Sequence, residues 1–323
     1  MTLDDVRDAA ARLAGQAVRT PLIDCLPLGQ RLGARVLVKA EPLQRTGAFK
    51  FRGAYNRISR LTAAQREGGV VTFSSGNHGQ AVAAVARIFG VRATVVMPSD
   101  APTLKIEATR GHGAEIVLYD RAREDREAIA RALVDERGAT MVPPYDDRFI
   151  IAGQGTVGLE IAEEAAARGL ALDAVLVPCG GGGLIAGTAT AIKALSPATE
   201  VYAAEPADYD DTARSLVSGR REAVRPGGKS FCDSLLVNMP GALTFPINRR
   251  LLAGAFTVSD AEAGHAMAAA FRDLKLVVEP GGAVALAALL AGRYDARGRT
   301  VAVVCSGGNV DAATIARVLG EAG

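Results

Sequence analysis

The chain has little charge of either sign to spare. Its 323 residues carry 37 Lys and Arg against 35 Asp and Glu, a formal net charge of +2. So small a surplus gives no reason to expect a nucleic acid or an anionic membrane as partner. No basic run and no aromatic-plus-basic stripe of the kind that grips single strands occurs. No stretch approaches about eighteen uninterrupted apolar residues, so no membrane span is expected. The N-terminal M-T-L-D-D-V-R-D-A-A-A-R-L-A-G lacks the basic, apolar and cleavage regions of a signal peptide. Cysteine is scarce too. Cys25, Cys179, Cys232 and Cys305 form no C-x-x-C pair, which argues against a disulfide framework or a zinc site. Reduced, buried thiols and a cytoplasmic location are the expectation. His78, His112 and His265 show no H-x-x-x-H spacing, so no histidine-bound transition metal is expected. What these absences leave is a small-molecule partner.

Glycine, by contrast, occurs 36 times and in clusters, which mark tight turns or close backbone approach to a ligand. Short β-branched runs alternate with longer Ala/Leu-rich stretches. The strand candidates are Val36–Lys39, Val70–Ser74, Thr94–Met97, Glu115–Leu118, Ala174–Pro178, Glu200–Ala204 and Thr300–Cys305. Helices are expected over Phe49–Leu61, Gln80–Gly90, Thr103–Arg110, Glu124–Arg137, Gly155–Arg168, Leu184–Leu195 and Asp260–Leu274. This rhythm predicts an α/β protein of two doubly wound, open, mostly parallel sheets with the site between them. Residues 69–146 form a compact βαβαβα block ending in the turn-rich Pro143–Asp147; residues 1–68 and 147–323 make the larger unit. Ser218–Pro246 has glycine and proline but little periodicity, and reads as a long functional loop.

Three strands end in a polar or glycine-rich turn that opens a helix: V-V-T-F-S-S-G-N-H-G-Q from Val70, A-V-L-V-P-C-G-G-G-G-L-I-A-G from Ala174, and V-A-V-V-C-S-G-G-N-V-D from Val301. Ligands of parallel sheets gather at the carboxyl ends of strands, so the three turns can converge on one ligand. The tetrad Gly180–Gly183 suits a phosphate, with bare N–H groups ahead of a helix N-terminus. It has neither the acidic partner of a dinucleotide fingerprint nor a Walker lysine. The Ser74–Gln80 turn suits a carboxylate, with ordinary N-capping as the plainer alternative. Lys50 stands at the start of the first strong helix between Phe49 and Phe51. Desolvation there lowers an amine's pKa and makes it nucleophilic; a solvated surface lysine is the alternative.

Taken in order, T-G-A-F-K-F-R-G-A, S-S-G-N-H-G-Q, I-A-G-Q-G-T and P-C-G-G-G-G-L resemble the fold type II pyridoxal-phosphate enzymes, which are tryptophan synthase β-like. The resemblance is strongest to the serine/threonine dehydratase and serine racemase family, with its 3-hydroxyaspartate dehydratases. It runs from T-P-L near Thr20 to S-G-G-N at Ser306–Asn309.

The resemblance implies a lyase that removes water and ammonia from a small 3-hydroxy amino acid, such as threonine, serine or 3-hydroxyaspartate. Lys50 would hold pyridoxal phosphate as a Schiff base and take the Cα proton. Phe49 would lie against the ring, Asn77 would meet its 3′-oxygen, Gly180, Gly181, Gly182 and Gly183 would hold the phosphate, and Ser306 would face the pyridine nitrogen. A neutral serine there makes the ring a weaker electron sink and favours elimination. Ser74, Ser75, Asn77 and His78 would grip the substrate carboxylate. Arg126 matches a position near the substrate lid of family racemases, a solvated helical arginine being the alternative. Glu205 and Asp211, with the Tyr209 carbonyl, match a Mg or Ca site found in part of the family. A homodimer is implied, with residues 69–146 as a mobile unit that closes on substrate.

Two other readings compete. Ser75 stands where racemases keep a second acid–base, so an amino-acid racemase is one alternative. A non-catalytic ligand-binding protein on the same scaffold is the other. The regulatory domain of biosynthetic threonine dehydratases has no counterpart after Asn309, so effector feedback of that type is not expected.

Overall fold

The structure, a computed structural model, describes residues 1–74, 76–101, 103–121 and 123–321. Among them ten strands form two sheets: β1 (Leu22–Asp24), β2 (Arg35–Ala40), β3 (Val70–Phe73), β4 (Ala93–Pro98), β5 (Glu115–Tyr119), β6 (Thr140–Met141), β7 (Ala174–Pro178), β8 (Glu200–Pro206), β9 (Gly254–Val258) and β10 (Thr300–Cys305). The larger sheet has the order β1-β2-β10-β7-β8-β9 and the smaller β5-β4-β3-β6. Every pairing is parallel except β1 with β2.

Strands buried on both faces need no polar alternation, and β7 (A-V-L-V-P) and β10 (T-V-A-V-V-C) are almost wholly apolar and buried. Helices cover both faces of the larger sheet. Asp260–Ala269 and Pro280–Leu290 pack on one side, Arg148–Ala167 and Gly183–Leu195 on the other. Arg148–Ala167 also packs against the Lys50 helix, Lys50–Ile58. Its glycines are contact surfaces: a Cβ on Gly158 would come within 2.6 Å of the Thr188 carbonyl oxygen.

This helix begins at Arg148, seven residues before the expected Gly155, because Asp147 caps it by accepting from the Phe149 and Ile150 amides. The helix expected over Asp260–Leu274 is α-helical only to Ala269; a π-helical turn, Ala270–Leu274, then leads to Lys275 at φ 58°. The expected Ser218–Pro246 loop is shorter at its C-terminal end, since Thr244–Leu251 is a helix. Its start is satisfied from far away, by Asp146, whose carboxylate accepts from the amides of Ala242, Leu243 and Thr244.

Candidate functional site

The order of the larger sheet puts the carboxyl ends of β2, β10 and β7 side by side. Phe49 and Lys50 follow β2, Ser306 follows β10, and Gly180–Gly183 follow β7. The Ser74 turn follows β3 of the smaller sheet and faces them. Between lies a cavity of about 910 Å³, its open mouth included, lined by all of these residues and by Asn77, His78 and Arg126. The turns singled out in the sequence therefore meet in one place.

Four helices start on this cavity: Lys50–Ile58, Asn77–Ile88, Gly183–Leu195 and Pro280–Leu290. At none of them does the side chain of the N-cap residue cap the helix. Five helices that start elsewhere are capped by Thr2, Thr62, Asp125, Asp147 and Ser259, whereas Leu26–Leu32 and Asp211–Ser218 are not. First-turn N–H groups lack partners inside a helix, so uncapped starts are donors held ready for anions. At the tetrad the backbone must also be bare. Gly182 has φ 88°, and a Cβ there would come within 2.6 Å of the Asn248 amide; one on Gly181 would strike the Tyr145 ring. The tetrad fits a phosphate-sized anion.

Lys50 extends into the cavity beside the Phe49 ring, and its Nζ donates to the Pro144 carbonyl at 2.7 Å. The side chain is partly open to the cavity, yet protein encloses the amine, and that burial lowers its pKa to about 8. About a tenth of the amine is then free base at pH 7, far more than at its ordinary pKa of 10.5, as a nucleophile or proton acceptor needs.

His78 is buried, and burial with the nearby Lys50 charge lowers its pKa to about 3. Its Nε2–H donates to the Val142 carbonyl at 3.0 Å, since a carbonyl can only accept. The neutral ring has no donor left for a carboxylate, and the backbone N–H in the first helical turn is what His78 can offer. Ser74 Oγ accepts from the Gly76 amide at 3.1 Å, leaving its hydroxyl hydrogen to donate. Ser75 lies outside the described residues. Arg126 stands 5.3 Å from the Phe73 ring centroid, and among the described residues it has no carboxylate partner.

Three cavity residues were not singled out in the sequence. Glu279 is buried, accepts from the Asn77 amide, and is pushed up to about 7 chiefly by that burial. Lys105 and Asp233 form an ion pair in the wall. The signal for Glu279 was V-E-P-G-G: an acid before a proline and two glycines at the start of an apolar helix. Asp233 had only its place in the Ser218–Pro246 loop expected to be functional, and Lys105 carried no local signal.

Glu205, Tyr209 and Asp211 do not line the cavity. They lie behind the tetrad, where the Thr212 hydroxyl is 3.4 Å from the Cys179 thiol. Glu205 accepts from the Thr212 and Ala213 amides, whereas neither Asp211 carboxylate oxygen has a partner among the described residues. Burial raises Asp211 to about 7; Glu205 is raised too, by burial and then by Asp211. Among the described residues no group of three or more His, Cys, Asp or Glu could hold a metal ion, so any cation here would have two carboxylates and carbonyl oxygens.

Comparison with known proteins identifies the family. The family model for pyridoxal-phosphate dependent enzymes matches residues 13–307. An L-threo-3-hydroxyaspartate ammonia-lyase of Pseudomonas sp is 45% identical over 98% of this chain and 97% of its own length. A serine racemase of Schizosaccharomyces pombe is 39% identical over 99% of this chain and 98% of its own. Among solved structures, a T.th. threonine deaminase superposes with a TM-score of 0.90 at 44% identity, covering 96% of this chain and 99% of the other.

Proposed function

The chain belongs to the family of pyridoxal-phosphate-dependent enzymes, and from that premise we propose that it is an ammonia-lyase that eliminates water and ammonia from 3-hydroxyaspartate or a similar small 3-hydroxy amino acid. The observation that carries the reading is the Lys50 amine, desolvated in the cavity on which four helices start.

The residues present fit the cofactor. The bare tetrad and its helix start would hold the phosphate, Lys50 the aldehyde carbon, Asn77 the ring oxygen and Ser306 the ring nitrogen, with Phe49 against the ring. When bound, the cofactor supplies an electron sink that acidifies the substrate Cα–H and lets the β-hydroxyl depart. Everything else is protein work. The Ser74 hydroxyl and the first-turn amides of Asn77–Ile88 hold the α-carboxylate, and Lys50 Nζ takes the Cα proton.

Arg126, a cation without a carboxylate partner among the described residues, receives the second carboxylate of an acidic substrate. This is the feature that favours hydroxyaspartate over threonine or serine, and it matches the named activity of the Pseudomonas relative. Glu205, Asp211 and the Tyr209 carbonyl would hold Mg or Ca, relieving two buried carboxylates that otherwise oppose each other. We also place the reaction in the cytoplasm, in a homodimer whose 69–146 unit closes over substrate. All four thiols are free and buried, and no helix among the described residues is long and apolar enough to cross a membrane.

The test is 2-oxo acid release by the cofactor-loaded chain from L-threo-3-hydroxyaspartate, L-threonine and L-serine. The expected result is turnover with the highest kcat/KM for hydroxyaspartate. Inversion of serine without 2-oxo acid would move the assignment to a racemase working through Lys50 and Ser75. Failure to bind the cofactor at all would restore the non-catalytic reading.

A further inference from the structure

Asn77 is held at both ends of its amide. Its Nδ2 donates to Glu279 Oε1, and its Oδ1 accepts from Asn309 Nδ2 at 2.9 Å. The same Asn309 nitrogen donates its other hydrogen to the Thr46 carbonyl at 2.8 Å. An amide group has two N–H donors and one carbonyl acceptor. Flipping Asn77 would set its NH₂ against the Asn309 NH₂ and its oxygen against a carboxylate oxygen, so one orientation is enforced. One Asn77 N–H remains unspent, on a side chain that lines the cavity.

Features far apart in sequence serve this chain of contacts. A Cβ on Gly47 would come within 2.5 Å of Asn309 Oδ1, and one on Gly307 would strike Glu279 Oε1. Both glycines are therefore required for the clamp to close. Thr46 presents its carbonyl from φ 59°, a left-handed conformation that a β-branched residue adopts only under strain. Glu279 holds the N-cap position of Pro280–Leu290 but does not cap it; the carboxyl turns to Asn77 instead, leaving Oε2 buried without a partner among the described residues.

We propose that Glu279 and Asn309 are positioning residues that lock the Asn77 amide so that its free N–H meets the oxygen substituent of the cofactor ring. This rests on the cofactor reading above. Neither residue reaches the reacting atoms in this account; both act through Asn77. A pre-set donor spends less of its hydrogen-bond energy on being ordered, so the effect falls on cofactor affinity and on the electronic state of the ring.

The test is titration of purified apoprotein with pyridoxal phosphate, reading dissociation constant and visible band, with apoprotein melting temperature alongside. Glu279→Ala removes the acceptor. Asn309→Asp keeps the shape but cannot donate to Asn77. Each is expected to weaken cofactor binding about tenfold and to shift the band, while Glu279→Gln, which keeps an acceptor oxygen, restores both. Wild-type affinity and band in Glu279→Ala and Asn309→Asp would overturn the clamp while leaving the cofactor reading intact. So would equal losses in Glu279→Gln and Glu279→Ala that merely track a fall in melting temperature. A wild-type protein that shows no band would instead overturn the cofactor reading, and the clamp with it.

Discussion

Two residues apart on one helix, Lys50 and Arg52 face two buried regions of opposite character. Arg52 is 1% exposed and its guanidinium is saturated. It donates to both Glu41 oxygens at 2.9 and 2.8 Å, to Glu160 at 2.6 and 2.9 Å, and to Thr156 at 3.1 Å. Lys39 completes the cluster, reaching Glu160 at 2.5 Å and the Thr20 carbonyl at 2.6 Å. Two cations thus meet two carboxylates. Burial alone would lower the Arg52 pKa, but Glu41 and Glu160 raise it instead. Lys50 has one carbonyl partner, and burial wins. The difference teaches how one helix can be anchored and reactive at once: the saturated side fixes the backbone, and the underpartnered side keeps its amine free for chemistry.

The largest effect should come from Lys50→Ala, which is expected to lower turnover by about 10³–10⁴-fold without lowering the melting temperature of the apoprotein. A stability loss in this variant would erase the contrast between the two sides. Arg52→Ala reverses the pattern. It strands Glu41 and Glu160 and should cost about 3–5 kcal/mol of unfolding free energy, measured by urea titration of the apoprotein. Arg126→Ala sharpens the chemical side further. It should reduce kcat/KM for hydroxyaspartate by about 10- to 100-fold and leave that for threonine nearly unchanged, as initial rates on both substrates would show.

The smallest effect is one of pH. The folded pKa of Lys50 lies near about 8, below its ordinary 10.5, so between these values the unfolded apoprotein binds more protons than the folded one. Stability contributed at Lys50 therefore rises with pH through that window. The rise is expected as a difference between wild type and Lys50→Met, which cancels other groups that titrate there. Identical pH profiles for the two would contradict the desolvated amine.

Much of this architecture was legible because parallel strands covered on both faces are short, unbroken β-branched runs: Ala174–Pro178 and Thr300–Cys305 have the expected bounds. What escaped was hidden for physical reasons. β6 is two residues long, and β9 is a half-buried edge strand. Pro280–Leu290 is apolar all round, so it shows no 3.6-residue period to recognise. Glycines 153, 155 and 158 mimic helix breakers although they are helix contacts. The glycine turns pointed to the cavity through local chemistry. Glu279 had the V-E-P-G-G turn and Asp233 its place in the expected functional loop, but Lys105 joins the cavity only through tertiary structure, which no local pattern encodes.

The most direct test of the central claim is to load the chain with pyridoxal phosphate, trap the adduct with borohydride and locate the modified lysine by peptide mass spectrometry. The account predicts the label on the peptide containing Lys50 and none on those with Lys39 or Lys105. A label on Lys105, the other lysine of the cavity wall, or no label on any lysine would contradict it.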